Sequence, residues 1–330
     1  MSNVLSVGVI GAGGIARSHM KAIAENENIR MVAVMDIDEG RVAEAADEFR
    51  AKPYTDLDAL LSDPEIDAVH VCTPHNQHAD QTVAAAQAGK HVLVEKPMAL
   101  TVEDCDRMIE ACEAAERTLM VGQVIRHYPV SRKVKQLIAD GVIGDVGHLL
   151  RRRLSNFNPS AELGGIRHWY MDPEIGGNCV LYCFGPHEYD LLHWYMDSPV
   201  VQVYAQGNES TEPYRGQKDS YTAMMNHDNG AVSVLSQSVA CHKGTNDQVI
   251  IGSKGSMTFT HRQLTLNGEE VAIDEPREGM RNQIREFADC CLKGTVPDAN
   301  GRSVRHTMAV IEASKQSAER GVPVQVSEFD

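Results

Sequence analysis

The sequence predicts an α/β protein in which a doubly wound parallel sheet precedes an α+β domain with an open-faced, mainly antiparallel sheet. Short apolar segments alternate with helical ones up to about residue 125, which is typical of a parallel sheet covered by helices on both faces. A glycine-rich turn joins the first strand to the first helix. From about residue 145 the segments lengthen and alternate apolar with polar side chains, as in antiparallel sheets with one exposed face.

The N-terminal half alternates strands and helices in order. The expected strands are Val4–Ile10, Met31–Met35, Ala68–Cys72, His91–Glu95 and Thr118–Gly122. The expected helices are Ile15–Ala24, Arg41–Phe49, Leu57–Leu61, Ala79–Ala88 and Val102–Glu116. Thr101 is placed to cap the last of these helices, with Asp104 as the acidic partner of a capping box.

The C-terminal half begins with the sheet and ends in helices. The expected strands are His148–Asn156, Val200–Gly207, Tyr221–His227, Ala231–Ala240, Val249–Ile251 and Ser256–Thr260. Asp228-Asn229-Gly230 and Asn267-Gly268 have the composition of hairpin turns. Helical patterns cover Cys179–Trp194, Gln283–Lys293 and Ser303–Glu319. We therefore expect one domain over residues 1–125 and a second over residues 126–330, with the C-terminal helix packing back on the first.

Length and composition exclude several classes of protein. The chain has 330 residues, 42% of them hydrophobic and 23% charged, which suits about two folded domains and excludes wholesale disorder. The net charge of −15 argues against nucleic acid and anionic membranes as partners. No segment approaches the roughly 18 apolar residues of a membrane span. The N-terminus lacks the basic start of a signal peptide, and the eight cysteines contain no CxxC pair, so we expect a cytoplasmic protein with reduced thiols.

The glycine-rich turn has the pattern of a dinucleotide site. It consists of Gly11, Ala12, Gly13, Gly14, Ile15 and Ala16, between a strand and a helix. This spacing allows a tight turn and a close approach of the pyrophosphate to the helix N-terminus in a Rossmann domain. Asp36 ends the second strand twenty residues after Ala16, where a carboxylate accepts the ribose hydroxyls of NAD. Because this carboxylate would repel the additional phosphate of NADP, we expect NAD, although Arg41 lies nearby.

Two further segments end strands of the same predicted sheet. Thr73-Pro74 follows one strand, with His78 close behind, and Glu95-Lys96-Pro97 ends the next strand. In open parallel sheets, ligands bind at the carboxyl ends of the strands, so these residues are expected to border one crevice. Pro97 favours extended geometry at Lys96, and a lysine there can stabilise a developing alkoxide or polarise a carbonyl.

With these motifs the chain resembles the glucose–fructose oxidoreductase / inositol dehydrogenase family (Gfo/Idh/MocA) over nearly its whole length. The most specific segment is Glu95-Lys96-Pro97 in this setting. The resemblance also rests on Gly11–Ala16, Thr73-Pro74 to His78, Ala88–Val92, Val121-Gly122 to Tyr128-Pro129, Trp169 to Pro173, Gly176-Gly177 to His187, Gly252 to Ser256 and the final helix. It implies a Rossmann domain, then a substrate-binding and oligomerisation domain. It also implies NAD(P)-dependent oxidation or reduction of sugars, cyclitols or related diols, in homodimers or homotetramers built through the sheet.

The resemblance carries over to particular residues. The family usually has D-x-G-x-H on the helix that opens the second domain, and this chain has Cys183-Phe184-Gly185-Pro186-His187. Lys96 and His187 match, whereas Cys183 stands at the position of the Asp. Three explanations stay open: the Asp is dispensable for this substrate, another group replaces it, or the chain does not perform the usual chemistry.

We assign hypothetical roles on this basis. His187 has a suitable reference pKa for proton transfer, and Lys96 would stabilise the substrate oxygen. The cofactor set comprises Gly11, Gly13, Gly14, Ile15, Ala16, Asp36, Thr73, Pro74, His78, Glu95, Lys96, Pro97 and Gln123. Arg126, His168, Trp169 and Tyr182 are candidate substrate contacts. Arg151-Arg152-Arg153 can indicate an anionic substrate, but because neighbouring strand residues face opposite sides, interface or surface charge is the favoured interpretation.

Alternatives remain for this set of residues. Cys179, Cys183 and His187 have i, i+4, i+8 spacing that can form a zinc site, but Pro186 is expected to kink the helix and a fourth ligand is not evident, so we expect no metal. Besides a dehydrogenase, the family resemblance leaves open a glycoside-cleaving enzyme that retains its NAD and a non-catalytic NAD or sugar sensor. A tightly retained cofactor without net reduction would indicate the former, and binding without turnover the latter.

Overall fold

A computed structural model of the chain describes residues 4–157, 168–214, 216–273, 276 and 278–330. It consists of two compact units. The first comprises residues up to Val124 together with Glu278–Arg305, and the second comprises Ile125–Arg277 and His306–Asp330. The segment Glu278–Arg305 therefore belongs with the first unit although it follows most of the second along the chain.

The first unit is built on a parallel sheet of order β3-β2-β1-β4-β5-β6. Its strands are β1 (Leu5–Ile10), β2 (Ile29–Met35), β3 (Lys52–Tyr54), β4 (Ala68–Val71), β5 (His91–Val94) and β6 (Leu119–Val121). Its helices are α1 (Gly14–Ala24), α2 (Glu39–Phe49), α3 (Leu57–Leu61), α4 (His78–Gln87) and α5 (Val102–Ala114). The order reverses at β1, so the carboxyl ends of β1 and β4 flank the switch point where open α/β sheets bind ligands.

The core of this unit lies between β1 and two helices. Buried residues of β1 pack with α1 and with a helix from later in the chain, α8 (Gly279–Lys293), through Ile284 and Phe287. The predicted Thr101 cap of α5 is confirmed, since the Thr101 hydroxyl accepts a hydrogen bond from the Asp104 amide at 3.1 Å, whereas the Asp104 carboxylate binds Arg107 at 2.6 Å and does not close a capping box.

The second unit contains a nine-stranded sheet of order β14-β13-β12-β11-β7-β10-β9-β8-β15. Its strands are β7 (Val146–Asn156), β8 (Val200–Asn208), β9 (Ser220–His227), β10 (Val232–Ser238), β11 (Ala240–Gly252), β12 (Gly255–Phe259), β13 (Leu264–Leu266), β14 (Glu269–Glu270) and β15 (Val324–Gln325). All pairs are antiparallel except β7 with β10. Both predicted hairpin turns are present, between β9 and β10 and between β13 and β14.

Helix α7 (Gly185–Met196) packs against β7 and β10 of this sheet, and α6 (Pro129–Ala139) packs against α7. The last helix, α9 (Gly301–Arg320), has its first residues in the first unit and the rest in the second. From Tyr221 to His227 along β9, buried and exposed residues alternate, so the opposite face of the sheet is exposed at these positions. The predicted fold class is confirmed.

The segment Cys179–Trp194, predicted as one helix, has two parts. Residues Cys179–Phe184 form a π-helical turn, and α7 begins at Gly185 with Pro186 in its first turn. Proline fits the first turn of a helix because the amide hydrogen that it lacks has no partner there. The break before His187 therefore agrees with the position of Pro186.

Candidate active site

The glycine turn leaves room for an anion at the start of α1. Gly11 has φ of +99°, and a Cβ there would lie 2.7 Å from the Cys72 carbonyl oxygen, so only glycine fits. Gly13 is the N-cap of α1, without a side-chain cap, and a Cβ built on it meets no atom within 4 Å. The first turn of α1 carries no acidic residue. Unshielded amides and open space are what a pyrophosphate requires.

The two residues that follow the glycines, Ile15 and Ala16, differ in exposure. Ala16 is completely buried in the core of the first unit, where a larger side chain would separate α1 from the sheet. Ile15, by contrast, is 40% exposed at the start of α1, although most isoleucines are buried. Its exposure at this position is compatible with a contact to a bound dinucleotide.

Asp36 follows β2 and is buried. One carboxylate oxygen accepts a hydrogen bond from the Ala12 amide at 2.8 Å, which ties the carboxylate to the glycine turn. The other oxygen accepts from the Asp38 amide at 3.0 Å and from Nη2 of Arg41 at 2.8 Å. The sequence identifies Arg41 as the nearest arginine but does not predict this ion pair, which forms because α2 begins at Glu39 and carries Arg41 in its first turn beside Asp36.

The residues after β4 and β5 are joined by His78. Its Nε2 lies 2.9 Å from the Thr73 carbonyl oxygen and its Nδ1 lies 2.8 Å from the Pro97 carbonyl oxygen. Burial lowers the pKa of His78, although its two backbone contacts act in the opposite direction. Thr73 in turn donates a hydrogen bond to Gln81 at 2.6 Å. His78 thus links the two loops that were predicted to border the crevice.

Glu95, Lys96 and Pro97 form the turn after β5. Glu95 and Pro97 are buried, whereas Lys96 between them is partly exposed. The Glu95 carboxylate accepts a hydrogen bond from the Lys96 amide at 3.2 Å and contacts Nε2 of His19 at 2.9 Å. Gln123, two residues after the end of β6, is also buried. The sequence interpretation missed His19, although its spacing from the buried residues Ala16 and Ile23 puts it on the core-facing side of α1.

In the second unit, His187 differs from its neighbours in exposure. It is partly exposed, whereas Pro186 and Glu188 on either side are buried. Cys183, at the position of the expected Asp, is buried in the π-helical turn. The Tyr182 hydroxyl donates a hydrogen bond to Glu312 at 3.1 Å. Among the described residues, no three His, Cys, Asp or Glu side chains are grouped so that they could hold a metal ion.

The remaining candidate substrate contacts have different surroundings. Arg126 is completely buried, and Asp190 binds its guanidinium at 2.7 and 2.6 Å, so the structure gives Arg126 a partner within the fold. Thr307 donates a further hydrogen bond to Asp190 at 3.0 Å. Trp169 is partly exposed and packs edge-on against Tyr170. The side chain of His168 lies outside the described residues.

The three consecutive arginines on β7 are separated by the pleat of the strand. Arg151 is buried and bound to Glu188, and Arg153 lies over the ring of Phe184 at 3.9 Å. Arg152 is on the exposed side, where Asp247 binds it. Each arginine therefore has a partner in its own unit. Only Arg152 fits the favoured interpretation as interface or surface charge, whereas Arg151 is a buried charge paired with Glu188, because the pleat turns it to the covered face of the strand.

The parallel sheet, the uncapped glycine turn and the buried Asp36 define a dinucleotide-binding protein. Two family descriptions match the sequence: "Oxidoreductase family, NAD-binding Rossmann fold" over residues 5–123 and "GFO/IDH/MocA C-terminal domain" over residues 131–258. The chain therefore belongs to the Gfo/Idh/MocA family of oxidoreductases, with NAD as its cofactor, as its motifs predicted. Within the described ranges, no helix is both long and apolar enough to cross a membrane.

Several proteins resemble the chain over almost its full length. Myo-inositol 2-dehydrogenase of Thermotoga maritima is 26% identical over 348 aligned positions, which cover 98% of this chain and 99% of that protein. The crystal structure of aldose-aldose oxidoreductase from Caulobacter crescentus, complexed with glycerol, is 25% identical with a TM-score of 0.89, covering 98% and 99% of the two chains. A levoglucosan dehydrogenase solved with NADH shares the fold at 22% identity, with a TM-score of 0.88 and coverage of 98% and 99%.

Proposed function

We propose that this protein is an NAD-dependent oxidoreductase acting on a hydroxyl or carbonyl group of a sugar, cyclitol or related cyclic diol. The observation that carries this proposal is the match to both family domains, with the Glu95-Lys96-Pro97 turn intact and Lys96 partly exposed after β5. The names of the related proteins, which include an inositol dehydrogenase and an aldose oxidoreductase, support the substrate class.

Lys96 and His187 are the residues to which we assign the chemistry. During oxidation, His187 takes the proton of the substrate hydroxyl, and the Lys96 ammonium stabilises the negative charge that develops on the same oxygen. We base their shared action on one oxygen on the family pattern. Both side chains are partly exposed between buried chain neighbours, which supports an accessible role. When bound, NAD supplies the hydride acceptor.

The residues of the first unit fit the cofactor. The amides at the start of α1 would hold the pyrophosphate, and Asp36 would bind the ribose. Its buried carboxylate disfavours the extra phosphate of NADP, while the neighbouring Arg41 reduces that repulsion. We therefore expect a preference for NAD over NADP that depends on Asp36. All eight cysteines are free thiols, which supports a place in the reducing cytoplasm.

The exposed face of the second sheet is the surface through which we propose that copies of the chain associate. Leu150, Val234, Met224 and Tyr204 lie opposite one another on β7, β10, β9 and β8. Leu150, Met224 and Tyr204 are 38%, 49% and 38% exposed, so this row leaves apolar surface in contact with water. A second copy that covered the row would form a homodimer, the basic unit of the predicted dimer or tetramer.

The direct experiment measures the absorbance of reduced nicotinamide. Purified protein is mixed with NAD or NADP and a pooled set of sugars, cyclitols, uronates and cyclic diols. The pair Lys96→Ala and Lys21→Ala distinguishes the proposed lysine from an exposed lysine of the same unit. We expect reduction of NAD by the native protein and by Lys21→Ala, and loss of at least 100-fold with Lys96→Ala. No reduction by a protein that binds NAD would instead favour a cofactor-retaining glycoside-cleaving enzyme or a sensor.

A further inference from the structure

Three buried polar side chains lie in series behind the Lys96 turn. His19 on α1 contacts His70 on β4 through their Nδ1 atoms, which are 3.1 Å apart, and contacts Glu95 through Nε2 at 2.9 Å. Both histidines are completely buried and Glu95 is 5% exposed. Burying two histidines and a carboxylate is costly unless the groups compensate one another, and the proposed proton transfer uses neither histidine.

The hydrogen positions in this series follow from its chemistry. A carboxylate only accepts hydrogen bonds, so Nε2 of His19 carries a hydrogen. Burial lowers the pKa of His19, but the neighbouring Cys72 sulphur and the Glu95 carboxylate raise it to about 10. Burial and the positive charge of His19 both lower the pKa of His70. With a pKa of about 10, His19 is an imidazolium at neutral pH, and in that state it donates to Glu95 and to His70, which accepts as a neutral ring.

Glu95 transmits this arrangement to Lys96. One carboxylate oxygen contacts His19 and the other accepts the hydrogen bond from the Lys96 amide at 3.2 Å. Gly122, directly after β6, closes the space, since a Cβ there would lie 2.7 Å from the oxygen that contacts His19. His78 contacts the Pro97 carbonyl oxygen on the far side of Lys96. The backbone on both sides of Lys96 is thus held by buried side chains.

The charge of His19 also affects Lys96. Burial raises the pKa of the Glu95 carboxyl, but hydrogen bonding and attraction from His19, followed by the charge of Lys96, lower it overall. Without His19, the buried carboxylate would either take up a proton or draw the Lys96 ammonium towards itself, because an uncompensated buried charge is strongly unfavourable. Either change would alter the position or the surroundings of the Lys96 side chain.

We propose that His19 is a positioning residue for Lys96. Its imidazolium, supported by His70, neutralises the Glu95 carboxylate, which then fixes the Lys96 backbone without competing for the Lys96 ammonium. This inference rests on the proposed function, in which Lys96 acts at the substrate oxygen.

A double-mutant cycle with the full-length protein tests this relation. His19→Leu is made in the native protein and in Lys96→Ala, and kcat, KM and the Kd for NAD are measured for all four proteins. We expect His19→Leu to lower kcat by roughly 10- to 100-fold, as misplacing a reacting group does, while the Kd for NAD changes less than about threefold. In Lys96→Ala the same substitution should lower the residual turnover by less than about twofold, because the group on which it acts is gone.

His227→Leu is the matched control. This histidine is also buried and contacts the Ser198 carbonyl oxygen and the Ser233 hydroxyl at 3.0 and 2.8 Å, but it lies on β9 in the second unit. If it lowers turnover through stability, it should do so equally in the native and Lys96→Ala backgrounds.

The outcomes separate the two proposals. Full activity of Lys96→Ala would overturn the proposed function itself. Two results would overturn the positioning role of His19 and leave the proposed function standing. One is an impaired Lys96→Ala protein in which His19→Leu lowers turnover by the same factor as in the native protein. The other is full activity of His19→Leu. Should His19→Leu not fold, nitrogen-15 spectra of the histidines in the native protein decide the matter. A His19 imidazolium at pH 8 is expected, and a neutral His19 ring would contradict the charge pairing.

Discussion

The buried His19–Glu95 pair predicts a pH dependence of stability in a range where few side chains titrate. The informative perturbation replaces both members, as His19→Gln together with Glu95→Gln. The single His19→Gln change would leave Glu95 buried without its partner, and the carboxyl would then titrate in its own right. The double variant keeps two neutral hydrogen-bonding groups in similar space, so its stability lacks the contribution of the charged pair.

The magnitude follows from the pKa of His19, about 10 in the folded protein and 6.5 in the unfolded chain. A raised pKa adds stability that is fully present below pH 6.5 and is lost as the pH rises through the folded-state value. At about 1.4 kcal/mol per pKa unit, the native protein should lose about 3 kcal/mol relative to the double variant between pH 6 and pH 9. Groups that do not interact with the pair cancel in this comparison, whereas the effects of Cys72 and His70 on His19 are lost together with the charged pair.

The assay must report on the first unit, because the chain has two units and need not unfold in one step. Cys105 and Cys112 on α5 are buried thiols of that unit. After equilibration in urea at each pH, a short saturating pulse of a methanethiosulfonate labels them only in unfolded molecules, and mass spectrometry of their peptide gives the unfolded fraction. A difference between native protein and double variant that stays constant within about 0.5 kcal/mol from pH 6 to pH 9 would refute the charged state of His19.

Three other predictions concern the cofactor, the reacting proton and the sheet. Asp36→Ser should raise the ratio of kcat/KM for NADP to that for NAD by about 10- to 100-fold. The reason is that Arg41 can then bind the extra phosphate, and a hydrogen bond to a charged group contributes about 1.5–3 kcal/mol. An unchanged ratio in steady-state kinetics would contradict this prediction. His187→Asn should lower turnover by about 100- to 10,000-fold at an unchanged Kd for NAD, and native turnover would remove it from the mechanism. Met224→Lys places a charge in the centre of the apolar row and should shift the molar mass in light scattering to that of a monomer, whereas a native mass would exclude this face as the interface.

Elements with a clear hydrophobic periodicity, or bounded by turn or capping residues, could be predicted from the sequence. The glycine turn, the capped α5 and the Asn-Gly hairpins each depend on residues that are close in the chain, so local pattern was sufficient. The short strand β3 and helix α6 were missed, as was the parallel pairing of β7 with β10. That pairing joins strands far apart in sequence, and β10 has the same alternating pattern whichever direction its neighbour runs.

Site residues that belong to a sequence motif could be predicted. Site residues whose role depends on burial and on distant partners were harder to predict. Lys96 and Asp36 could be found from their positions at strand ends. The pairing of Arg126 with Asp190 could not, because its partner is 64 residues away and the residues between give no periodic signal. His19 and His70 were missed for a related reason. Each resembles an ordinary member of an apolar helix face or strand until the fold brings them together with Glu95.

The roles proposed for Lys96 and His187 require that carbon-bound hydrogen passes between a carbinol carbon of the substrate and the nicotinamide ring. The most direct measurement uses reduced nicotinamide carrying deuterium at its reactive carbon, with a pool of ketoses, inosose-type cyclic ketones and lactones. Mass spectrometry then shows which product has gained the label. We predict deuterium on one carbon of a cyclic polyol or sugar with the native protein, and at least 100-fold less with Lys96→Ala or His187→Asn. Absence of label from every product, in protein that demonstrably binds the cofactor, would contradict these roles.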